Sequence, residues 1–539
     1  LAVCSFVEIM KAFQCAILLI LGSVCLLPIP VMAAEESGEP FDSGRPFTVK
    51  NRIDEILAAK WKSLGIQPAQ ICSDGVFVRR VYLDVIGTLP TAEEARRFID
   101  DSASDKRERL VEELLNRPEY ADFWTMRWGD ILRIKAEFPI NLWPNAVQAY
   151  NRWLWSALAT NKPYDQFARE LLTSSGSNFR VGAVNFFRAV QDRSPKGLAQ
   201  AVALTFMGER AEKWPEERLQ GMAAFFAQIS FKPTLEWKEE IVTWDPFHAT
   251  QTGEPPPQEA VFPNGVKIKL PTDRDPRRVF ADWLISSENP WFAKNIVNRI
   301  WYWLLGRGII HEPDDIRPDN PAKVPELLSY LESELVQAKW DLKHVYRLIL
   351  NSNTYQLSCV PRSQQPEAEA YFAYYPLRRL EAEVLIDAIC QITGTSEEYW
   401  SMVPEPYTVV PQGERAVRLG DASITSAFLE MFGRPPRDNG LESERNNRMM
   451  AGQRLHLLNS SHIARKIEDG PGLEWLASSS MAPRAKVTQL YLTVLSRYPT
   501  EKEWSVIAQA TTSKKSLPRE MMTDLVWVLI NSSEFLYRH

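Results

Sequence analysis

The amino-acid sequence predicts a mainly α-helical protein, with two helical domains and a small β-hairpin insertion between them. Apolar residues recur at helical spacing through most of the chain. One stretch, residues 228–270, alternates loosely instead and contains turn residues, a pattern typical of short strands. No internal repeat with a period of about 20–50 residues is visible, so we do not expect a solenoid.

The first helical domain is predicted to span residues 47–255. Helical patterns of apolar residues occur at 53–57, 78–85, 110–115, 149–158, 164–172 and 195–206. Thr91, followed by Glu93 and Glu94, has the composition of a helix start, because its hydroxyl can cap the helix and the acids favour the positive end of the helix dipole.

The second helical domain is predicted to span residues 275–539. Residues 256–274 before it are predicted to be a linker with a hairpin, because Pro263-Asn264-Gly265 is a turn sequence between two apolar segments. Helical patterns follow at 279–285, 292–305, 325–336, 342–350, 377–392, 422–432 and 451–467, with two closing helices up to residue 535.

The N-terminal residues 1–34 have the pattern of a signal peptide. Lys11 precedes an apolar run over 12–27, and Val31-Met32-Ala33 provides small residues for a signal peptidase. Cleavage would leave 35–46 as a flexible linker and would place the protein in the periplasm, at the cell surface or outside the cell. A retained anchor is the alternative, although the run is shorter than the roughly 20 residues that span a bilayer. We expect no transmembrane span after cleavage.

The bulk composition excludes some classes of function. A net charge of -6 gives no sign of a nucleic-acid-binding protein. Tryptophan is frequent, with 18 residues, and its side chain fills helical cores but also stacks on sugars. Beyond the leader only Cys72, Cys359 and Cys390 remain, which form at most one disulfide and no C-x-x-C pair.

The common catalytic signatures are missing from the sequence. It contains no nucleophile elbow, phosphate-binding loop, dinucleotide-binding glycine motif or H-E-x-x-H zinc motif. After His311, the carboxylates of Asp314, Asp315 and Asp319 form a possible but weak calcium site. The alternative is a polar loop whose acids cap the segment that begins at Pro321.

The densest cluster of charges lies between residues 433 and 448. Arg434 and Arg437 flank a Pro-Pro turn, and Glu442, Glu444 and Arg445 follow. Rigidly held arginines suit carboxylate, sulfate or phosphate groups, so these five residues are candidates for binding an anion or a partner. The intervening acids provide the alternative, an internal network of ion pairs.

Two further groups of charges are predicted to be structural or weakly functional. Asp84 and Arg127 are predicted to form a buried ion pair between helices, and loss of one partner would cost about 3–5 kcal/mol. Glu383 and Asp387 lie one helical turn apart and could hold a cation. Without a fold that brings two carboxylates together, no acid–base pair is assigned.

The sequence also resembles two domain families that occur together in exported planctomycete-type proteins. The first domain resembles domain-of-unknown-function family 1549, associated with surface cytochromes, in the runs RRVYLDVIGTLPT (79–91), YADFW (120–124) and NKPYDQF (161–167). The second resembles the companion family 1553 in the runs NRIW (298–301), WDLKH (340–344), FGRP (432–435) and LHLLN (455–459). The resemblance covers the chain from about residue 51 to its last residue and implies export, but no established activity.

Many relatives of the first domain carry a C-x-x-C-H haem-attachment motif directly after a G-x-R step. Here that step is Gly208-Glu209-Arg210, and the residues after it provide neither the two cysteines nor the histidine. Covalent haem needs both thiols and an iron ligand, so we expect no covalent haem and no other cofactor, with calcium the one possible exception.

These observations predict a non-catalytic binding or scaffold protein of the periplasm or cell surface, whose partner is a polysaccharide or an envelope protein. One alternative is a hydrolase of extracellular polysaccharide whose carboxylates come together only in the fold. Another is a haem-free accessory of a separate cytochrome. An enzyme would have a cleft with converging acids and aromatic walls, whereas a scaffold would have exposed apolar patches.

Overall fold

The structure is a computed structural model that describes residues 40–247, 255–511 and 519–539. Of the described residues, 52% are helical and 6% lie in strands, which confirms the mainly α fold. The predicted leader and the first residues of the predicted linker lie outside the described residues. The chain from Gly38 to His539 forms one compact unit.

Six of the ten α-helices up to residue 247 coincide with the predicted apolar stripes, at 53–57, 78–85, 110–115, 149–158, 164–172 and 195–206. The ten helices are α1 (Arg52–Leu64), α2 (Asp74–Val85), α3 (Ala92–Asp100), α4 (Lys106–Asn116), α5 (Pro118–Ile131), α6 (Pro144–Ala159), α7 (Tyr164–Thr173), α8 (Asn185–Arg188), α9 (Pro195–Val202) and α10 (Glu216–Ala223). Helix α3 begins as predicted, because the Thr91 hydroxyl accepts from the Glu94 N–H and the Glu94 carboxylate accepts from the Thr91 N–H.

The small β segments lie between the two helical regions, as predicted. Strands β2 (Ile229–Pro233) and β3 (Glu240–Trp244) form an antiparallel hairpin, and β1 (Gly176–Ser177) pairs with the other edge of β3. Strands β4 (Glu259–Val261) and β5 (Lys267–Lys269) form the second hairpin around the Pro-Asn-Gly turn.

Helices again dominate after residue 255. They are α11 (Pro276–Leu284), α12 (Phe292–Leu305), α13 (Pro325–Gln337), α14 (Leu342–Leu350), α15 (Glu367–Ala370), α16 (Ala382–Thr393), α17 (Ala427–Met431), α18 (Ala451–Asn459), α19 (Ser461–Glu468), α20 (Pro471–Ser478), α21 (Pro483–Leu495), α22 (Glu501–Thr511), α23 (Arg519–Ile530) and α24 (Ser533–Leu536). No helix among the described residues is both long and apolar enough to cross a membrane.

Three predicted helices of this region are wrong in detail. The pattern at 422–432 is helical only in α17, because the Ser426 hydroxyl caps that helix and starts it at Ala427. The pattern at 377–392 begins as strand β6 (Arg378–Arg379), because these residues pair with β7 (Tyr537–Arg538), and helix α16 starts only at Ala382. The pattern at 451–467 is two helices, since the Ser460 hydroxyl caps the N-terminus of α19 and starts a new helix there.

One hydrophobic core runs through both helical regions. The rings of Trp124 on α5 and Trp303 on α12 lie 5.2 Å apart within it. The buried Arg79 of α2 donates to the main-chain oxygen of Phe535, at 2.7 Å. Residues far apart in the sequence therefore share one interior, while the predicted domain boundaries stay predictions.

Candidate functional site

Most of the predicted functional charges lie in the protein interior, in one cluster that we call the central charge network. Contacts of 4.0 Å or less join its carboxylates and guanidinium groups into two sets, one around Asp84, Glu381 and Glu442 and the other around Asp130 and Glu383. The charges of Arg445 and Glu381 interact between the two sets. Its members are Asp84, Asp130, Asp314, Glu381, Glu383 and Glu442 with Arg127, Arg299, Arg378, Arg434, Arg437, Arg445 and Arg538.

Arg437 inserts its side chain against helix α5. Its Nε lies 2.9 Å from Asp130 Oδ1, and its other nitrogens donate to the main-chain oxygens of Met126, Ile134 and Gly420. Gly129 makes room for it, because a Cβ there would lie 2.9 Å from the guanidinium carbon. Every nitrogen of this guanidinium therefore has a partner within the protein.

Arg445 joins the two acidic ends of this part of the network. It donates to Asp130 Oδ2 at 2.7 Å and to Glu383 Oε2 at 2.6 Å, the latter on helix α16. Arg434 lies 3.5 Å from Glu383 and donates to the main-chain oxygen of Ile424. Glu383 and Asp387, which the sequence suggested could hold a cation together, contact different groups. Glu383 binds Arg445, and Asp387 accepts from main-chain N–H groups.

Glu442 extends the network towards helix α12. Its carboxylate contacts Arg127 and accepts from the Trp303 indole at 3.0 Å. Its main-chain N–H donates to Asp314 Oδ2 at 2.6 Å, and the other oxygen of Asp314 binds Arg299 at 2.7 Å. One acid thus links a loop to two buried helices.

The predicted ion pair between Asp84 and Arg127 is wrong in its partners. Asp84 accepts from two tyrosine hydroxyls and lies 3.2 Å from Arg538, whereas Arg127 binds Glu442 and approaches Glu381 at 3.8 Å. Both residues are buried and belong to the network, as their side chains suggested. Arg538, on the last strand β7, lies beside Asp84 where we predicted Arg127.

The network lowers the pKa values of an acid and a base among its members, for different reasons. Burial alone would raise the pKa of Glu381, but Arg538, Arg127 and Arg445 outweigh it and lower the pKa to about 2. Burial and the neighbouring Arg437 lower the pKa of Arg434 to about 10. The Glu381 carboxylate is consequently held in its ionised form.

The five residues predicted to bind an anion or a partner thus have internal partners. Arg434, Arg437, Glu442 and Arg445 belong to the network, and Glu444 accepts from the Asn439 N–H at 2.6 Å. These contacts are those of the predicted alternative, the internal network of ion pairs. Anion binding by this segment stays a prediction, and nothing in the geometry favours it.

The weak calcium site after His311 also has other contacts. Asp314 is buried against Arg299, while Asp315 and Asp319 both contact the Arg317 guanidinium, at 3.2 Å and 3.1 Å. Within residues 40–247, 255–511 and 519–539, no group of three His, Cys, Asp or Glu side chains converges to hold a metal ion. The acids of this loop bind arginines instead.

A second feature is a half-open cavity of about 340 Å³, which we call the polar cleft. Hydroxyl, amide and charged side chains dominate its walls. The lining residues are Thr88, Leu89, Thr91, Glu94, Arg117, Glu119, Asp387, Cys390, Gln391, Thr395, Ser396, Glu397, Gly413, Glu414 and Arg415.

Asp387 is the most deeply buried acid of the polar cleft. Its two oxygens accept from the N–H groups of Ala416 and Val417, at 2.6 Å and 3.1 Å, and Arg415 lies 3.5 Å away. Burial outweighs these contacts and raises its pKa to about 6. Across the cleft, His462, Lys466 and Arg117 hold the pKa values of other carboxylates below their usual range.

A third feature is a group of large apolar side chains exposed on two adjoining loops, which we call the loop patch. Phe138 is 79% exposed, Met402 74% and Val409 70%. Trp400 and Tyr407 are also exposed. Isolated exposed apolar residues are ordinary, but several on contacting loops mark an interaction surface.

Main-chain hydrogen bonds hold the two loops together. The Met402 N–H donates to Glu137 Oε1 at 3.0 Å, and the Glu137 N–H donates to Ser423 Oγ at 2.9 Å. Trp400 forms an antiparallel bridge with Thr425. The loop patch is therefore part of a fixed surface and not a pair of free loops.

Comparison with known proteins gives the chain a family assignment. Residues 52–229 match the family model PSCyt2, a protein of unknown function (DUF1549), and residues 276–511 match PSD1, a protein of unknown function (DUF1553). The chain carries a DUF1549 domain and a DUF1553 domain. No curated protein and no solved structure matches it. The two regions agree with the resemblance read from the sequence.

Both surface features combine residues of the two domains. The polar cleft has Thr88 to Glu119 of the DUF1549 domain on one side and Asp387 to Arg415 of the DUF1553 domain on the other. The loop patch likewise joins Phe138 of DUF1549 to 400–409 of DUF1553. Binding sites commonly form where two domains meet.

The segment of DUF1549 in which relatives carry a haem motif has a different arrangement here. Glu209 is buried and accepts from the indole N–H groups of Trp214 and Trp291. Arg218 lies 3.2 Å from Glu209 and stacks over the Trp214 ring at 3.6 Å. The side chains of this segment thus form a packed ion pair between aromatic rings.

The sequence reasoning missed the loop patch and most of the polar cleft. The patch had one available signal, since Phe138-Pro139 and Glu405-Pro406 are X-Pro steps in aromatic segments between helices. The polar cleft had no such signal in the sequence, because its walls come together only in the fold.

Cys72, Cys359 and Cys390 are all free thiols.

Proposed function

We propose that this chain is an exported, non-catalytic binding protein of the periplasm or cell surface that docks another envelope protein through the loop patch. The observation that carries the proposal is the exposure of five large apolar side chains on two loops held together by hydrogen bonds. A protein partner covers such a surface and removes its apolar area from water.

The composition of the loop patch favours a protein over a polysaccharide as its partner. Aromatic residues and methionine are enriched in protein interfaces, and Trp400, Tyr407 and Met402 are of these types. Sugars stack on aromatic faces, whereas Met402 and Val409 present flexible or branched aliphatic surface. The Trp143 and Tyr407 rings, at 5.2 Å, are inclined by 56° and form no flat platform for a sugar chain.

Charges around the loop patch point to a basic partner. Glu398 and Glu405 are exposed on the same loop as Trp400, and Glu137 adjoins Phe138. Of the basic side chains of the first loop, Lys135 is held by Asp438 at 2.8 Å, and the buried Arg133 donates to the Ala189 carbonyl. The rim is therefore acidic, and a partner with lysine or arginine around its apolar contact would be complementary to it.

The interior supports a non-catalytic role. Every carboxylate of the central charge network lies within 4.0 Å of a guanidinium group, so none is free to exchange a proton with a substrate. The lining of the polar cleft includes no aromatic side chain, contrary to what we expected of a polysaccharide hydrolase.

A pull-down from native envelope extract tests the proposal. The bait is the mature chain from Glu35, compared with a Phe138→Ser/Met402→Ser variant. We expect the wild-type bait to retain a partner of basic surface charge and the variant to lose at least about 90% of it, because two buried apolar contacts contribute more than 1.4 kcal/mol.

The matched control is Leu235→Ser/Trp237→Ser, which removes two exposed apolar side chains from the tip of the β2–β3 hairpin. This variant should retain the partner as the wild type does. Equal retention by the patch variant would contradict the proposal. If no bait retained a protein and only the patch variant lost binding to a neutral polysaccharide, the partner would be a glycan and not a protein.

A further inference from the structure

The polar cleft has the size of a small-molecule site. Its volume of about 340 Å³ lies near the lower end of the roughly 300–1,000 Å³ found for ligand pockets. It is distinct from the loop patch, since the two share no residue. A ligand of one ring or a short chain would occupy it.

Contacts between the two domains hold the walls of the cleft in place. The Thr88 hydroxyl donates to Gln391 Oε1 at 2.9 Å, and the Gln391 amide donates to the Leu89 carbonyl at 3.1 Å. Arg415 donates to the Gly87 carbonyl at 3.2 Å. The cavity is thus formed before any ligand arrives, which lowers the entropic cost of binding.

The lining of the cleft suits a ligand that forms many hydrogen bonds. Thr88, Thr91, Thr395 and Ser396 contribute hydroxyl groups, and Leu89 is the one large aliphatic side chain in the lining. Thr88 donates to Gln391, Thr91 donates to Glu94, and Thr395 contacts Thr393, yet each of these hydroxyl oxygens keeps a lone pair that can accept a further hydrogen bond. A ligand with several hydroxyl groups would satisfy them.

The charges of the cleft favour a positive ligand. The lining contributes five carboxylates and two guanidinium groups. Arg117 is shared by Glu94, at 2.8 Å, and Glu119, at 2.7 Å, so one negative charge of this trio is not neutralised.

Each of the other three carboxylates of the cleft contacts a cation, and the one nearest Asp387, Arg415 at 3.5 Å, also interacts with Glu119. Lys466 lies 3.1 Å from Glu397, and Arg418 lies 3.1 Å from Glu414. His462, 2.9 Å from Glu397, adds positive charge only when it is protonated. The excess negative charge is therefore located at Glu94 and Glu119.

We propose that the polar cleft binds a small hydroxyl-rich ligand with a primary ammonium group, of the amino sugar class, with Glu94 and Glu119 as the counterions of the ammonium. The hydroxyl oxygens of Thr88 and Thr91 lie in the same wall and accept hydrogen bonds from the sugar hydroxyls. This site does not depend on a protein partner at the loop patch.

Calorimetric titration of the mature chain tests the proposal, with D-glucosamine as the probe. Glucose provides the hydroxyls without the charge, N-acetylglucosamine provides the ring with a neutral amide, and lysine provides an ammonium group without the sugar. We expect glucosamine to bind at least about tenfold more tightly than each of the three, a difference of about 1.4 kcal/mol.

The matched variants are Glu119→Gln, which removes one counterion and keeps the shape, and Glu398→Gln, which removes an exposed acid outside the cleft. Glucosamine should bind about tenfold more weakly to the first and unchanged to the second. Thermal unfolding shows whether Glu119→Gln is folded. If Glu119→Gln is unfolded, Thr395→Val takes its place as the cleft variant in the same comparison.

Absence of heat with glucosamine would overturn the proposal, and so would equal affinity for glucose. Equal affinity for lysine would overturn the amino sugar class, since the side chain of a peptide would then fill the site. A Glu398→Gln variant that loses as much affinity as Glu119→Gln would show a general charge effect and contradict the site.

Discussion

At the residue scale, the partners of each buried charge determine whether that charge is structural or free to bind a ligand. Arg437 and Arg445 were both candidate binding residues in the sequence, and in the structure both contact Asp130. Sequence spacing identified the right residues, because arginines beside Pro-Pro and acids are rarely free. It could not identify their partners, since Asp130 lies some three hundred positions away on another helix.

Glu381 provides the clearest test at this scale. Its pKa is lowered from 4.5 to about 2 in the folded protein, so the unfolded chain binds the proton more readily. Ionised Glu381 thus contributes stability above about pH 4.5 that is lost as the pH falls towards 2, of the order of 3 kcal/mol at about 1.4 kcal/mol per pKa unit.

Urea unfolding at several pH values measures this contribution. The difference in unfolding free energy between wild type and Glu381→Gln should be largest near neutral pH and should shrink as the pH falls below 4.5. Glu398→Gln, an exposed acid, is the control and should follow the wild type. A difference that stays constant down to acidic pH would show that Glu381 is not held ionised by its arginines.

At the element scale, helices with strong apolar stripes were predictable and their ends were less so. The Thr91 capping pair fixed the start of α3 from local chemistry alone. The start of α16 was missed because β6 depends on pairing with β7, more than 150 residues later, which local periodicity does not encode. The loop patch was missed for the same reason, because its two loops meet through tertiary contacts such as the one between Met402 and Glu137.

At the scale of the whole molecule, the two family domains share one core. Asp54 accepts from the N–H groups of Asn353 and Thr354, at 3.0 Å and 2.9 Å, and Arg80 donates to the main-chain oxygens of Tyr355 and His539. Buried groups of the DUF1549 domain thus find their partners in the DUF1553 domain. An isolated DUF1549 domain would leave them without partners.

We therefore predict that residues 40–247 do not fold as a separate fragment. Thermal unfolding by circular dichroism should show no cooperative transition for the fragment, because each buried arginine left without acceptors costs several kcal/mol, about 3–5. The chain from Glu35 onward should unfold in one transition. A cooperative transition of the fragment would contradict the shared core.

We propose that the loop patch, and not the arginine-rich segment 433–448, contacts the partner. Site-specific photo-crosslinking in native envelopes tests it most directly, with the reactive group placed at Met402 or, as the control, at the exposed Val506 of α22. We predict a discrete protein adduct from position 402 and none from position 506. Adducts of equal yield from both positions, or an adduct from 506 alone, would contradict it.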